Sequence, residues 1–395
     1  MKSSRKIVVA CDSFKGSLTS IEAGEAVAEG VRGALPDCEV IVIPVGDGGE
    51  GTMEAITRAN NGEIVCCDVT GPMGEMVTAS YGIFGDTAVI EMAEASGLTL
   101  VSPEKRNPMR ATTYGTGQLI LDAIKRDCRN FLIGIGGSAT NDGGTAMLRA
   151  LGYRFLDADG NEITNNIADL GNLASIDDSN IIPELRKCSF TAACDVDTPL
   201  TGPKGATYVF GPQKGATPDM LPILDNALTR LAAVAEVSNL RNTLASNAVA
   251  KVSNLRSPLA DIPGSGAGGG MGFALLAFLK ASLKPGIDMV LDAIDFDRKI
   301  DGASLIITGE GRLDRQTIMG KTPFGILNRA LKRGIPVIAI GGSVDTAALP
   351  LLKKAGFTEV LTATPADQPL SQAMLPATAR ANLKYAIITH LNPRP

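Results

Sequence analysis

The sequence of 395 residues has no tryptophan, a single histidine and only 4% aromatic residues. With the one histidine, His390, near the C-terminus, Ser-His-Asp triads and histidine-rich metal sites are excluded. Any general base therefore has to be a carboxylate or a lysine. Scarce aromatics leave little for base-stacking platforms, and no Lys/Arg run offsets the net charge of −5, so nucleic acid is not an expected partner. No apolar run approaches the roughly 20 residues of a membrane span, so no membrane partner is expected either. The opening MKSSRKIVVACDS holds too few consecutive apolar residues for a secretory leader, and the expected location is cytoplasmic. Seven cysteines (11, 38, 66, 67, 128, 188 and 194) lack CxxC spacing and read as reduced, mostly buried thiols.

Glycine, in contrast, is plentiful, with 44 residues concentrated in loops. In FLIGIGGSATNDGGTAML (131–148), an apolar strand runs into a glycine-rich turn and then a helix N-terminus. Free backbone N–H groups and the helix dipole at such a junction favour anions. An ordinary strand-to-helix turn is the plainer alternative. GDGGEG (46–51), PGSGAGGGMG (263–272) and TGEGR (308–312) offer further glycine loops.

Alternating apolar runs and amphipathic stretches predict an α/β fold. KIVVA (6–10), VIVIPV (40–45) and SLIIT (304–308) read as buried strands, as do segments near 132, 191, 338 and 360. Thr19-Ser20-Ile21-Glu22 has the form of a capping box. Between Glu63 and Met92 the pattern changes to short strands joined by turns at Gly71-Pro72 and Gly85-Asp86. The expected architecture is a Rossmann-like parallel-sheet domain (1–62, 113–195 and 286–395) with a second α/β domain of mixed sheet inserted into it (63–112 and 196–285). A repeat of Val-Ser-Asn-Leu-Arg at 237–241 and 252–256 reads as a local duplication without functional meaning.

Polar residues gather where the predicted strands end: Asp12, Ser13, Lys15, Asp47, Glu50, Ser138, Asn141, Asp142, Asp195, Asp197, Glu310, Arg312 and Asp314. In a parallel α/β sheet that edge binds ligands. Carboxylates, cations and glycine loops together suit phosphoryl transfer, because Mg²⁺ takes one or two carboxylates and phosphate takes N–H groups and a cation. Each residue also has a plainer role, since an Asp after a strand commonly caps a helix or an Asx-turn. No Walker GxxxxGK[ST] is present, and a single G-x-G-x-x-G-like run is a weak signal.

DSFKGSL (12–18), GDGGEGT (46–52), ATTYGTG (111–117), GIGGSATNDGG (134–144), CDVDTPL (194–200), GPQKGA (211–216), PGSGAGGGMG (263–272) and TGEGRLD (308–314) follow one another along the chain. In this order they resemble the type-1 glycerate kinases, over nearly the whole length. The resemblance implies ATP- and Mg²⁺-dependent phosphorylation of D-glycerate, usually to 2-phosphoglycerate. It also implies a Rossmann-like domain carrying an inserted one. Glycerate 3-kinase regiochemistry and a non-catalytic sugar-acid or nucleotide-binding module are the alternatives, and the oligomeric state is not specified.

The roles themselves come from residue chemistry. Asp195 is the expected base, with Lys15 and Asp47 also catalytic. Ser13, Arg312 and Asp12 are expected to bind substrate, and Glu310 with Asp195 to hold the metal. The loop residues Gly136, Gly137, Ser138, Thr140, Asn141 and Asp142 are expected to cradle ATP phosphates. Gly264, Gly266, Gly268 and Gly269 are the second choice for that task.

Overall fold

The computed structural model of the chain describes residues 5–164, 166–243 and 257–392. Its strands are β1 (Lys6–Cys11), β2 (Glu39–Val42), β3 (Glu63–Thr70), β4 (Met76–Phe84), β5 (Thr87–Glu91), β6 (Asn130–Gly134), β7 (Arg154–Leu156), β8 (Ser175–Asp177), β9 (Ser189–Ala193), β10 (Ser282–Lys284), β11 (Leu305–Leu313), β12 (Val337–Val344) and β13 (Glu359–Thr362). Two compact units divide them. One comprises Met1–Asn61 and Pro285–Pro395, the other Gly62–Lys284.

The first unit is built on a five-stranded parallel sheet ordered β2-β1-β11-β12-β13. Its strands are near-continuous apolar runs because both faces are covered. Ile7, Val9 and Cys11 pack with Val27 and Val31 of the helix Ser20–Ala34 and with Leu383 and Ile387 of the helix Pro376–Leu391. Burying each of the larger side chains contributes roughly 1.5–3 kcal/mol. The helix Thr322–Leu331 packs on β1 and β11. The capping box forms: the Thr19 side chain accepts from the Glu22 N–H, and Glu22 accepts from the Thr19 N–H. In chain order the strands run second, first, third, fourth, fifth, so the winding direction reverses between β1 and β11. Such a reversal parts the two strand-end loops and opens a crevice.

The second unit has a mixed sheet ordered β10-β9-β6-β5-β4-β3, parallel from β10 to β5 and antiparallel from β5 to β3. A separate antiparallel pair, β7-β8, accompanies it. The expected division requires a correction here, because residues 113–195 lie in the second unit. β6 pairs in parallel with β5 on one side and β9 on the other, extending the β3–β5 meander. A buried apolar run announces a parallel strand but not its sheet. All seven cysteines are free, yet only Cys11 and Cys128 are buried, and Cys66 on the edge strand β3 is exposed. The first Val-Ser-Asn-Leu-Arg copy falls in the helix Met220–Thr243; the second, 252–256, lies outside the described residues.

The two longest glycine loops of the second unit interlock. Gly268, Gly269 and Gly270 have φ of 63°, 70° and 92°, where only glycine is unstrained. The Gly143 N–H donates to the Gly269 carbonyl at 3.0 Å, and a Cβ on Gly269 would fall on the Thr140 carbonyl oxygen. Gly302 of the first unit shares the left-handed backbone, but nothing lies within 4 Å of its Cβ position. In urea unfolding, Gly302→Ala is expected to cost about 1–2 kcal/mol of backbone strain. Gly269→Ala should destabilise the second unit by roughly 3 kcal/mol or more, because strain and overlap add. Equal losses would show that the two loops do not depend on this contact.

Candidate active site

At the reversal between β1 and β11 the structure gathers Asp12, Ser13, Lys15, Asp47, Glu310 and Arg312, with Lys321, around a cavity of about 670 Å³. β1 delivers Asp12 at its C-terminal end, and the Asp12 N–H extends the ladder to the Gly309 carbonyl of β11 at 2.9 Å. The Asp12 carboxylate accepts from the Ser13 N–H at 2.7 Å and from the Thr322 hydroxyl at 2.6 Å. Burial, and then the charge of Asp47, still lift its pKa to about 6. Asp47 accepts from the Gly49 N–H at 3.0 Å and lies 3.7 Å from the Lys15 ammonium.

Glu310, on β11, is also raised above the usual carboxylate range by burial. It accepts from the Thr317 hydroxyl at 2.7 Å and pairs with Lys321 at 3.3 Å. Lys15 and Arg312 have side chains 70% and 67% exposed, so both can turn toward an anion with little to break. Among the described residues no group of three or more His, Cys, Asp or Glu is placed to hold a metal by itself.

The remaining expected residues belong to the second unit. Asp195 and Asp197 are exposed just past the C-terminal end of β9. In the loop after β6, only Gly136 and Gly137 face solvent. The expectation of an open cradle over 138–142 does not match the burial. The Lys214 ammonium donates to the Ser138 hydroxyl at 2.7 Å and the Thr140 carbonyl at 2.6 Å. Asn141 donates to the Thr207 hydroxyl, while Asp142 accepts from the N–H and hydroxyl of Thr113. The Cβ positions of Gly264, Gly266, Gly268 and Gly269 are likewise occupied, against Cys194, Pro199, Ile135 and Thr140. These polar and glycine residues bind the chain to itself.

Lys321 and Lys214 are not among the expected site residues, although both sit beside glycine, in GKT and QKG. Ile340-Gly341-Gly342-Ser343 repeats the Ile-Gly-Gly-Ser of 135–138, and Gly342 and Ser343 line the cavity.

Burial holds Lys214 at a pKa of about 7, below the 10.5 of an unperturbed lysine. Between those values the unfolded chain binds more protons than the folded one, so the Lys214 contribution to stability rises with pH. Lys214→Met removes this dependence. Unfolding midpoints measured from pH 7 to 10 should show wild type gaining relative to the variant, and a constant difference would mean Lys214 stays charged when folded.

Comparison with known proteins places the chain in a family. The family model described as "Glycerate kinase family" matches residues 7–390. A glycerate kinase of Bacillus subtilis (strain 168) is 48% identical over 370 residues, 93% of this chain and 92% of that protein. A glycerate 2-kinase of Escherichia coli (strain K12) is 48% identical over 341 residues, 86% and 85% of the two chains. The crystal structure of a glycerate kinase 2 from Salmonella typhimurium LT2 is similar with a TM-score of 0.85 and 43% identity, covering 98% of both chains. With a family match over nearly its full length and a relative fold of this kind, the chain belongs to the glycerate kinase family and is a phosphotransferase.

Proposed function

We propose that the enzyme transfers the γ-phosphoryl group of ATP to the 2-hydroxyl of D-glycerate, giving 2-phosphoglycerate, with Mg²⁺ as the metal. The observation that carries this reading is the cluster at the β1/β11 reversal, where the exposed cations Lys15 and Arg312 line one cavity with the buried carboxylates Asp12 and Glu310. A non-catalytic anion-binding module would have no use for carboxylates there. The choice of the 2-hydroxyl follows the similarity to the glycerate 2-kinase of Escherichia coli. Among the described residues no helix is long and apolar enough to cross a membrane.

Lys15 and Arg312 are the groups for the transferring phosphate and the glycerate carboxylate, with Ser13 at the same strand end. Mg²⁺ ordinarily uses one or two carboxylates and completes its shell with water and phosphate oxygens. The pair Asp12 and Asp47 suits it best, because a divalent cation relieves the repulsion that contributes to the raised pKa of Asp12. Glu310, expected as a ligand, already serves Thr317 and Lys321. Bound to the phosphates, the ion offsets charge that develops during transfer. Phosphate contact by the loop after β6 would run through the backbone of Gly136 and Gly137.

Asp195 is the proposed base, an exposed carboxylate with β9 behind it. Asp12 is the second candidate, since a pKa of about 6 suits proton acceptance near neutral pH.

The reaction is tested by supplying ATP, Mg²⁺ and D-glycerate with enolase but no mutase. Phosphoenolpyruvate should form directly. Formation only after mutase is added means the 3-hydroxyl is the acceptor, and no product in either case leaves the binding-module reading.

Asp195→Asn should lower kcat by about 10²–10⁴-fold with little change in KM for glycerate. A drop under about tenfold passes the role of base to Asp12. In either case Asp12 has to be ionised to work. At limiting Mg²⁺, activity (kcat/KM) should therefore fall as pH drops through about 6, and raising Mg²⁺ should move that limb to lower pH; a limb that does not move with Mg²⁺ would take the metal away from Asp12.

A further inference from the structure

The cavity beside the reversal is chemically uneven. Its charged residues, Asp12, Lys15, Asp47, Glu310, Arg312 and Lys321, all come from the ends of β1, β2 and β11 or soon after them. From Gly342 onward, past β12 and β13, none of the residues lining it is charged. That part is walled by Val344, Ala363, Pro365, Leu370, Met374 and Leu383. A glycerate molecule, with three carbons and four polar oxygens, has nothing to gain from such a wall.

Two amides stand among these apolar residues. Asn382, on the helix Pro376–Leu391, donates its side-chain N–H to the Gln368 side-chain oxygen at 2.6 Å. Both are half-buried, and both line the cavity. Pairing uses one donor and one acceptor. Whichever way the two amides are turned, at least one donor and one acceptor remain. Adenine carries the matching edge, an amino donor next to a ring-nitrogen acceptor, on a flat apolar body. The volume of about 670 Å³ lies within the range of small-ligand sites.

We propose that the uncharged end of this cavity holds the adenine of the nucleotide, with the Gln368–Asn382 pair hydrogen-bonded to its edge and the phosphates directed toward Lys15 and Arg312. The proposal rests on ATP being the donor, as argued above. It assigns the base to residues outside every glycine motif. It also places the whole nucleotide at the carboxyl ends of one parallel sheet, the phosphates at the reversal and the base over β12 and β13. The paired amides order each other before the ligand arrives, so less side-chain freedom is lost on binding.

The chain contains no tryptophan, so a single one reports without background. Leu370 is 70% exposed on the cavity wall and tolerates the change sterically. In Leu370→Trp, ATP with Mg²⁺ should alter the indole emission saturably, whereas inorganic tripolyphosphate and D-glycerate should not. By calorimetry on the otherwise unaltered chain, Asn382→Leu and Gln368→Leu should each weaken ATP binding about tenfold. Tripolyphosphate affinity should be retained, which also shows that the variants are folded. If ATP binds the wild-type chain while both leucine variants bind it equally well and the indole is silent, the base lies elsewhere. An emission change with glycerate in place of ATP gives this end to the acid and overturns the proposal. If the wild-type chain takes up no ATP at all, the donor reading fails first and the base site falls with it.

Discussion

A carboxylate buried at the end of β1 has to be kept usable, and much of the first unit serves that requirement. Taking an ion out of water costs several kcal/mol unless donors replace the lost hydration. Asp12 receives a backbone N–H from Ser13 and a hydroxyl from Thr322. The second is available because Thr322 opens a ten-residue helix packed on β1 and β11, whose N-terminal dipole also favours the anion. These donors are opposed by burial and by Asp47, and the result is a group poised near pH 6. Its charge state then depends on what cation stands beside it. A carboxylate held this way changes its charge with small changes in the charges around it.

How much of this could be read beforehand differs from element to element. The capping box at Thr19, the strands near 7, 41 and 306, and the hairpin turns at 71 and 85 depend on local chemistry, and the sequence reading located them. The strand-end polar residues were legible for the same reason: Asp12 and Glu310 sit where an apolar run stops. Partnership across the chain was not. Nothing in FLIG indicates that β6 pairs with β5 rather than β1, since a strand covered on both faces looks alike in any parallel sheet. Gln368 and Asn382 are fourteen residues apart in unremarkable surroundings, and only the fold of the Pro376–Leu391 helix brings them together.

The glycine loops show a different limit. Glycine permits close approach, but it does not specify what approaches. In 134–144 and 264–272 the neighbour is another stretch of this same chain: Gly143 bonds Gly269, and Lys214 fills the space beneath Ser138 and Thr140. A lysine buried against a hydroxyl and a carbonyl of the loop itself ties Ser138 and Thr140 into the interior. Only Gly136 and Gly137, at its exposed tip, retain the freedom that the whole motif suggests.

The insertion of one unit into another also dictates an order of assembly. β1 emerges first from synthesis, yet its ladder partner β11 lies nearly three hundred residues downstream. The central pair of the first sheet therefore closes one of the longest loops the chain can form, and such contacts are slow to make. The segment Gly62–Lys284 has no such debt, since every strand of its sheets lies within it. It can condense while the N-terminal strands still wait, and once formed it holds its own two ends, Gly62 and Lys284, in one folded body. A loop of more than two hundred residues is thereby shortened to the distance between two ends of a folded body. Folding of the second unit thus lowers the entropic cost of closing the first one's sheet.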